Sequence, residues 1–111
     1  MNQINYDFTN KTVFITAGSK GIGFELAKQF LNYGANVALC SRNSINLNNA
    51  KISLSKLYKK NKFLIIKHDL NNMNKNKRVI SLVHKYFKKK IDILINNSGG
   101  PPSKIFEKTT S

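Results

Sequence analysis

The chain has 111 residues of which 41% are apolar, enough for one domain around a single core and too apolar for a disordered segment. Nineteen lysines and arginines against five acidic residues give a formal charge of +14, which admits a polyanionic partner. No apolar run approaches membrane-spanning length, and residues 1–7 lack the basic start and apolar stretch of a secretory leader, so neither a membrane protein nor an exported one is expected. The one cysteine, Cys40, has no partner for an internal disulfide and suits a reducing cytoplasm.

Apolar periodicity alternates along the chain between strand-like and helix-like stretches. Residues 12–17 read as a first strand and residues 21–33 as a helix with Ile22, Leu26, Ala27, Phe30 and Leu31 on one face. Gly34 follows as a left-handed cap. Residues 36–41 read as a second strand, and residues 44–60 as a helix carrying Leu47, Ala50, Leu54, Leu57 and Tyr58 inward. A third strand spans residues 62–67. A third helix follows at residues 74–89, with Val79, Leu82, Val83, Tyr86 and Phe87 at helical spacing, and a fourth strand at residues 91–96. Strands that alternate with helices of this length imply right-handed crossovers and a parallel sheet. The expected fold class is α/β, a Rossmann-type sheet of order 3-2-1-4 with helices on both faces that stops after its fourth strand. A ligand then belongs where the carboxyl ends of strands 1 and 4 diverge.

The residues at that mouth are distinctive. Thr16-Ala17-Gly18-Ser19-Lys20-Gly21-Ile22-Gly23 joins the first strand to the first helix, a strand–glycine turn–helix arrangement. The start of a helix offers unpaired backbone N–H groups and a positive dipole end, and glycines let phosphate oxygens reach them. The fourth strand ends in Asn96-Asn97-Ser98-Gly99, and the third is followed by Asp69-Leu70.

Taken in order, these three motifs resemble the short-chain dehydrogenase/reductase family. Its T-G-x-x-x-G-I-G matches residues 16–23, its N-N-A-G matches residues 96–99, and its acid–hydrophobe pair matches Asp69-Leu70. The continuation Gly99-Gly100-Pro101-Pro102 is similar to a branch of 3-oxoacyl-carrier-protein-reductase-like members. Two positions depart from the pattern. Ala17 stands for the first glycine and requires a negative φ there, and Ser98 stands for alanine. The resemblance implies a nicotinamide dinucleotide held by residues 16–23, with Asp69 accepting from the adenine amino group and the Leu70 backbone beside the ring. Asn96 would brace strand 4 against strand 1 and line the ribose side, Gly99 would allow the coenzyme close approach, and Asn97 and Ser98 between them belong to the same binding motif. An NAD-selective unit ends its second strand with a carboxylate for the ribose 2′-hydroxyl. Here that place holds Ser41-Arg42-Asn43, and Arg42 together with Lys20 suits a 2′-phosphate, so NADP(H) is expected over NAD(H).

The resemblance also places a catalytic serine and a Y-x-x-x-K pair after strand 4, and the sequence ends before either, as a shortened reading frame would. Tyr58 with Lys62 and Tyr86 with Lys90 match Y-x-x-x-K by spacing, but both tyrosines read as packing residues on helices whose ends lie at the opposite edge of the sheet. No catalytic residue is therefore expected in this chain. His68 and His84 lack ligand-spaced partners, so no metal is expected. Without a fifth strand, strand 4 becomes an apolar edge suited to a missing half or to self-association. The alternative is a small basic module that binds nucleic acid or another polyanion. Against it, Lys59-Lys60-Asn61-Lys62 and Lys88-Lys89-Lys90 both end predicted helices, where lysines complement the dipole in solvent.

Overall fold

The computed structural model describes residues 6–17, 22–69 and 73–97. Its elements are β1 (Thr12–Ala17), α1 (Ile22–Asn32), β2 (Asn36–Ser41), α2 (Ser44–Leu57), β3 (Phe63–Lys67), α3 (Asn76–Phe87) and β4 (Ile93–Asn97). Single 3-10 turns at Lys60–Lys62 and Met73–Lys75 lead into β3 and α3. The strands form one parallel sheet of order β3-β2-β1-β4, the doubly wound arrangement expected from the alternating pattern.

Two apolar layers sandwich the sheet. Val13 and Ile15 of β1 and Val37 and Leu39 of β2 face Ala27 and Leu31 of α1 and Ala50 and Leu54 of α2. The intervening strand residues Phe14, Ala38 and Cys40 face the other way, against Val79, Ile80 and Val83 of α3. This is the period-two alternation of a sheet covered on both faces. Each large core side chain such as Phe14, with no exposed surface, contributes roughly 1.5–3 kcal/mol by leaving water.

Helix ends depart from the sequence expectation. Helix α2 stops at Leu57 rather than residue 60, because Tyr58 turns extended (φ −133°) and packs back on the core while its N–H still caps the Leu54 carbonyl. Helix α3 starts two residues late, after a 3-10 turn, and stops at Phe87, where Lys88 adopts φ +57°. Four side chains placed inward by periodicity are instead exposed: Ile22 (61%), Leu57 (65%), Leu82 (44%) and Tyr86 (41%). Ile22 and Leu57 are terminal residues of α1 and α2, and Leu82 and Tyr86 flank the buried stripe of Val79, Ile80 and Val83 on α3. Gly34 does take the left-handed conformation, at φ +94°, where an added Cβ would lie 2.9 Å from Thr9 Oγ1.

Strand β4 begins at Ile93 rather than residue 91. Asp92 is used instead as a clasp on β1: its Oδ2 accepts from Thr12 N at 2.8 Å and its own N–H donates to Thr12 O at 2.9 Å. Thr12 is fully buried, so removing the carboxylate orphans a backbone donor out of reach of water. Asp92→Ala is expected to cost about 1–3 kcal/mol in urea unfolding, and Asp92→Asn, which keeps an acceptor, clearly less. An unchanged midpoint for the alanine variant would contradict the clasp. Burial, aided by the charge of Asp69, pushes the Cys40 thiol up to about 12 from an ordinary 9.0. Native protein is therefore expected to resist iodoacetamide at pH 8 and to react on unfolding. The unfolded chain ionises its thiol first, so this contribution to stability is lost as pH rises from about 9 to about 12.

Candidate functional site

Because the strands are parallel, all four carboxyl ends lie along one edge of the sheet, and all helix amino ends face the same way. Helix α1 leaves β1 over one face, whereas α3 delivers the chain to β4 from the other. The crevice that this reversal opens lies between the ends of β1 and β4. Register places Thr16 between Cys40 and Asn96, and pairs Ala17 with Asn97 at the rim.

Thr16 is completely buried, and its hydroxyl donates to the Ile95 carbonyl at 3.4 Å, so its side chain ties β1 to β4. Ala17 is the last residue of β1, in the extended backbone that the missing glycine demanded. Asn96 is half-buried beside Thr16. Ile22 and buried Gly23 open α1, whose first-turn N–H groups lack helical partners. Glu25 also lies in that first turn, at 3.5 Å from Lys28. Gly18, Ser19, Lys20, Gly21, Leu70, Ser98 and Gly99 lie outside the described residues.

The three residues after β2 divide their work. Ser41 is buried, and its hydroxyl accepts from Asn43 N at 3.2 Å. Asn43 caps α2, with Oδ1 accepting from Asn46 N at 3.0 Å, a contact type worth about 1 kcal/mol. Between them Arg42 is exposed and makes no ion pair among the described residues. The turn is thus built by its neighbours, which leaves the guanidinium available at the sheet's carboxyl edge.

At the end of β3 the structure adds a residue pair that sequence reasoning missed. His68 Nε2 donates to Asn76 Oδ1 at 2.6 Å, and Asn76 is fully buried in the first turn of α3. The available signal was Asn76 itself, at i, i+3, i+4 and i+7 spacing with Val79, Ile80 and Val83. A polar residue on that apolar stripe needs a partner. Asp69 follows His68 and is exposed at the same edge.

The two Y-x-x-x-K matches lie at the other end of the sheet. Tyr58 contacts Asn32, and Tyr86 donates to the Lys60 carbonyl; all these residues belong to helix carboxyl ends or the lead-in to β3. Tyr86 is exposed rather than packed inward, as noted above. A hollow of about 250 Å3 lined by Lys51, Ser55, Lys60, Phe63, Ile65 and Tyr86 also lies away from the mouth, beside the β3 edge. Among the described residues no three His, Cys, Asp or Glu side chains converge as a metal site, and no helix is long and apolar enough to cross a membrane.

Comparison with known proteins agrees with this geometry. Residues 11–111 match the family model described as short chain dehydrogenase. A tropinone reductase homolog of Arabidopsis thaliana is 38% identical over 96 residues, which cover 85% of this chain and 35% of that protein. The 3-oxoacyl-[acyl-carrier-protein] reductase FabG of Chlamydia muridarum is 34% identical over 86% of this chain and 38% of its own length. A solved short chain dehydrogenase from Bacillus anthracis superposes with a TM-score of 0.70 at 33% identity, covering 81% of this chain and 35% of that one. The chain therefore spans little more than a third of the length of these relatives. Sheet order, the residues at the β1–β4 mouth and a family match over 11–111 agree, and the chain belongs to the short-chain dehydrogenase/reductase family.

Proposed function

We propose that residues 1–111 form the NADP(H)-binding portion of a short-chain oxidoreductase that interconverts a carbonyl and an alcohol. Proteins of this family bind a nicotinamide dinucleotide. The observation that carries the choice of coenzyme is Arg42, exposed after β2 where an NAD-selective unit presents a carboxylate. Its planar fork suits a 2′-phosphate, and Lys20 adds a second cation from the glycine turn. The first-turn amides of α1 and the turn of residues 18–21 hold the pyrophosphate, where the dipole favours anions. Asp69 and Leu70 take the adenine, while Asn96, Asn97, Ser98 and Gly99 line the ribose on the nicotinamide side. Thr16 and Ser41 are buried at the strand ends that carry these groups, and Asn43 caps α2 directly after Arg42, which supports the same reading.

When bound, the coenzyme supplies a hydride equivalent at nicotinamide C4. The isolated chain holds it without turnover, because neither Tyr58 nor Tyr86 stands at the carboxyl edge to move a proton to the substrate oxygen. Strand β4 ends the described sheet with Leu94 37% exposed, a ready edge for a further strand from another part of the protein or another chain.

Arg42→Ala is expected to weaken NADPH binding by about 10- to 100-fold, the loss of roughly 1.5–3 kcal/mol from a charged hydrogen bond, and to leave NADH affinity nearly unchanged. Titration followed by nicotinamide fluorescence checks this, and equal losses for the two coenzymes would remove Arg42 as the selector. The 111-residue chain with NADPH and an acetoacetyl thioester is expected to show no absorbance decay at 340 nm above the protein-free rate. Sustained turnover would overturn the claim of binding without catalysis.

A further inference from the structure

His68 is joined to three separate places. Its N–H donates to the Ser41 carbonyl at 2.9 Å, its carbonyl accepts from Cys40 Sγ at 3.7 Å, and its ring donates to Asn76 at 2.6 Å. The first two contacts lock its backbone to the end of β2, next to Arg42. The third ties the residue before Asp69 to the first turn of α3. Asn76 has no exposed surface and lies against the α3 face of the core, so it is a fixed anchor and not a mobile surface group.

We propose that the His68–Asn76 bond is a positioning device for the adenosine end of the coenzyme. It holds Asp69, the residue directly after His68, at a set distance from Arg42, and so governs affinity for the adenine and 2′-phosphate without touching either. The inference rests on the coenzyme reading above. Because Asn76 Oδ1 is an acceptor, Nε2 carries the proton, and the ring is held as the Nε2–H form. Fixing His68, and with it Asp69, in advance lowers the ordering cost that a ligand would otherwise meet on binding.

The test uses adenosine 2′,5′-bisphosphate, which reports on the adenosine end alone, beside nicotinamide mononucleotide for the other end. Asn76→Leu keeps the volume and removes the acceptor, and His68→Phe keeps a ring and removes the donor. The double variant removes both members of the pair, so that neither is left facing a lost partner, and gives a second protein to measure if a single variant unfolds. Asn76→Asp restores an acceptor. The expected result is at least a tenfold loss of bisphosphate affinity in the variants lacking the bond, recovery to within about threefold in Asn76→Asp, and unchanged mononucleotide affinity throughout. Nitrogen-15 NMR of the wild type should show His68 protonated at Nε2. Unchanged bisphosphate affinity, or an equal loss at both ends, overturns the proposal while the coenzyme reading stands. A wild-type chain that binds neither probe overturns both.

Discussion

The clasp between Asp92 and Thr12 sets the geometry on which the rest depends. Two hydrogen bonds, one through the carboxylate and one through the backbone, lock β4 beside β1 at their starting ends. In a parallel pair the register set at one end is carried along the whole length. Here it brings Val13 to Ile93 and, three residues on, Thr16 to Asn96. A one-residue slip would turn Asn96 away from Thr16 and push Ile93 and Ile95 off the layer shared with α1 and α2. The mouth of the crevice is therefore fixed from the opposite end of the molecule.

That arrangement separates the two ends of the sheet by chemistry. The carboxyl edge gathers helix amino ends, Arg42 and the last residues of β1, β3 and β4, a setting for an anionic ligand. The amino edge gathers helix carboxyl ends and many of the lysines. Several of these are engaged locally: Lys62 Nζ donates to the Gly34 carbonyl at 2.9 Å, and Lys89 Nζ reaches Asn10 Oδ1 at 3.1 Å. Lysines that satisfy oxygen acceptors after α1 and before β1 account for part of the +14 charge without a polyanionic partner. At the end of α3 the left-handed position that Gly34 fills after α1 is taken by a lysine, Lys88, at φ +57°.

Much of this was legible in the sequence, and the failures share a physical origin. Strands β1 and β2 appeared at their expected bounds because continuous apolar runs ending at Gly18 and at Ser41-Arg42-Asn43 have sharp edges. Gly34 announced the end of α1 for the same reason. The ends of α2 and α3 did not show, because Tyr58 and Lys88 are not turn residues and leave the helix under tertiary packing. Periodicity located the apolar stripes but not their width, so Leu57 and Leu82 were assigned to a core that does not reach them. The exposed place of Arg42 directly after β2 was readable from the end of the apolar run alone. The supporting pairs, Asp92 with Thr12 and His68 with Asn76, join residues 80 and 8 positions apart, and no local pattern encodes either contact.

The most direct test of the central claim is amide chemical-shift mapping of the labelled 111-residue chain titrated with NADPH. The account predicts saturable shifts centred on the carboxyl edge, at Thr16, Gly23, Ser41, Arg42, Asp69 and Asn96, with the residues around Lys59–Lys62 and Lys88–Lys90 unmoved. Shifts concentrated at those lysines, or none in a folded sample, would contradict it.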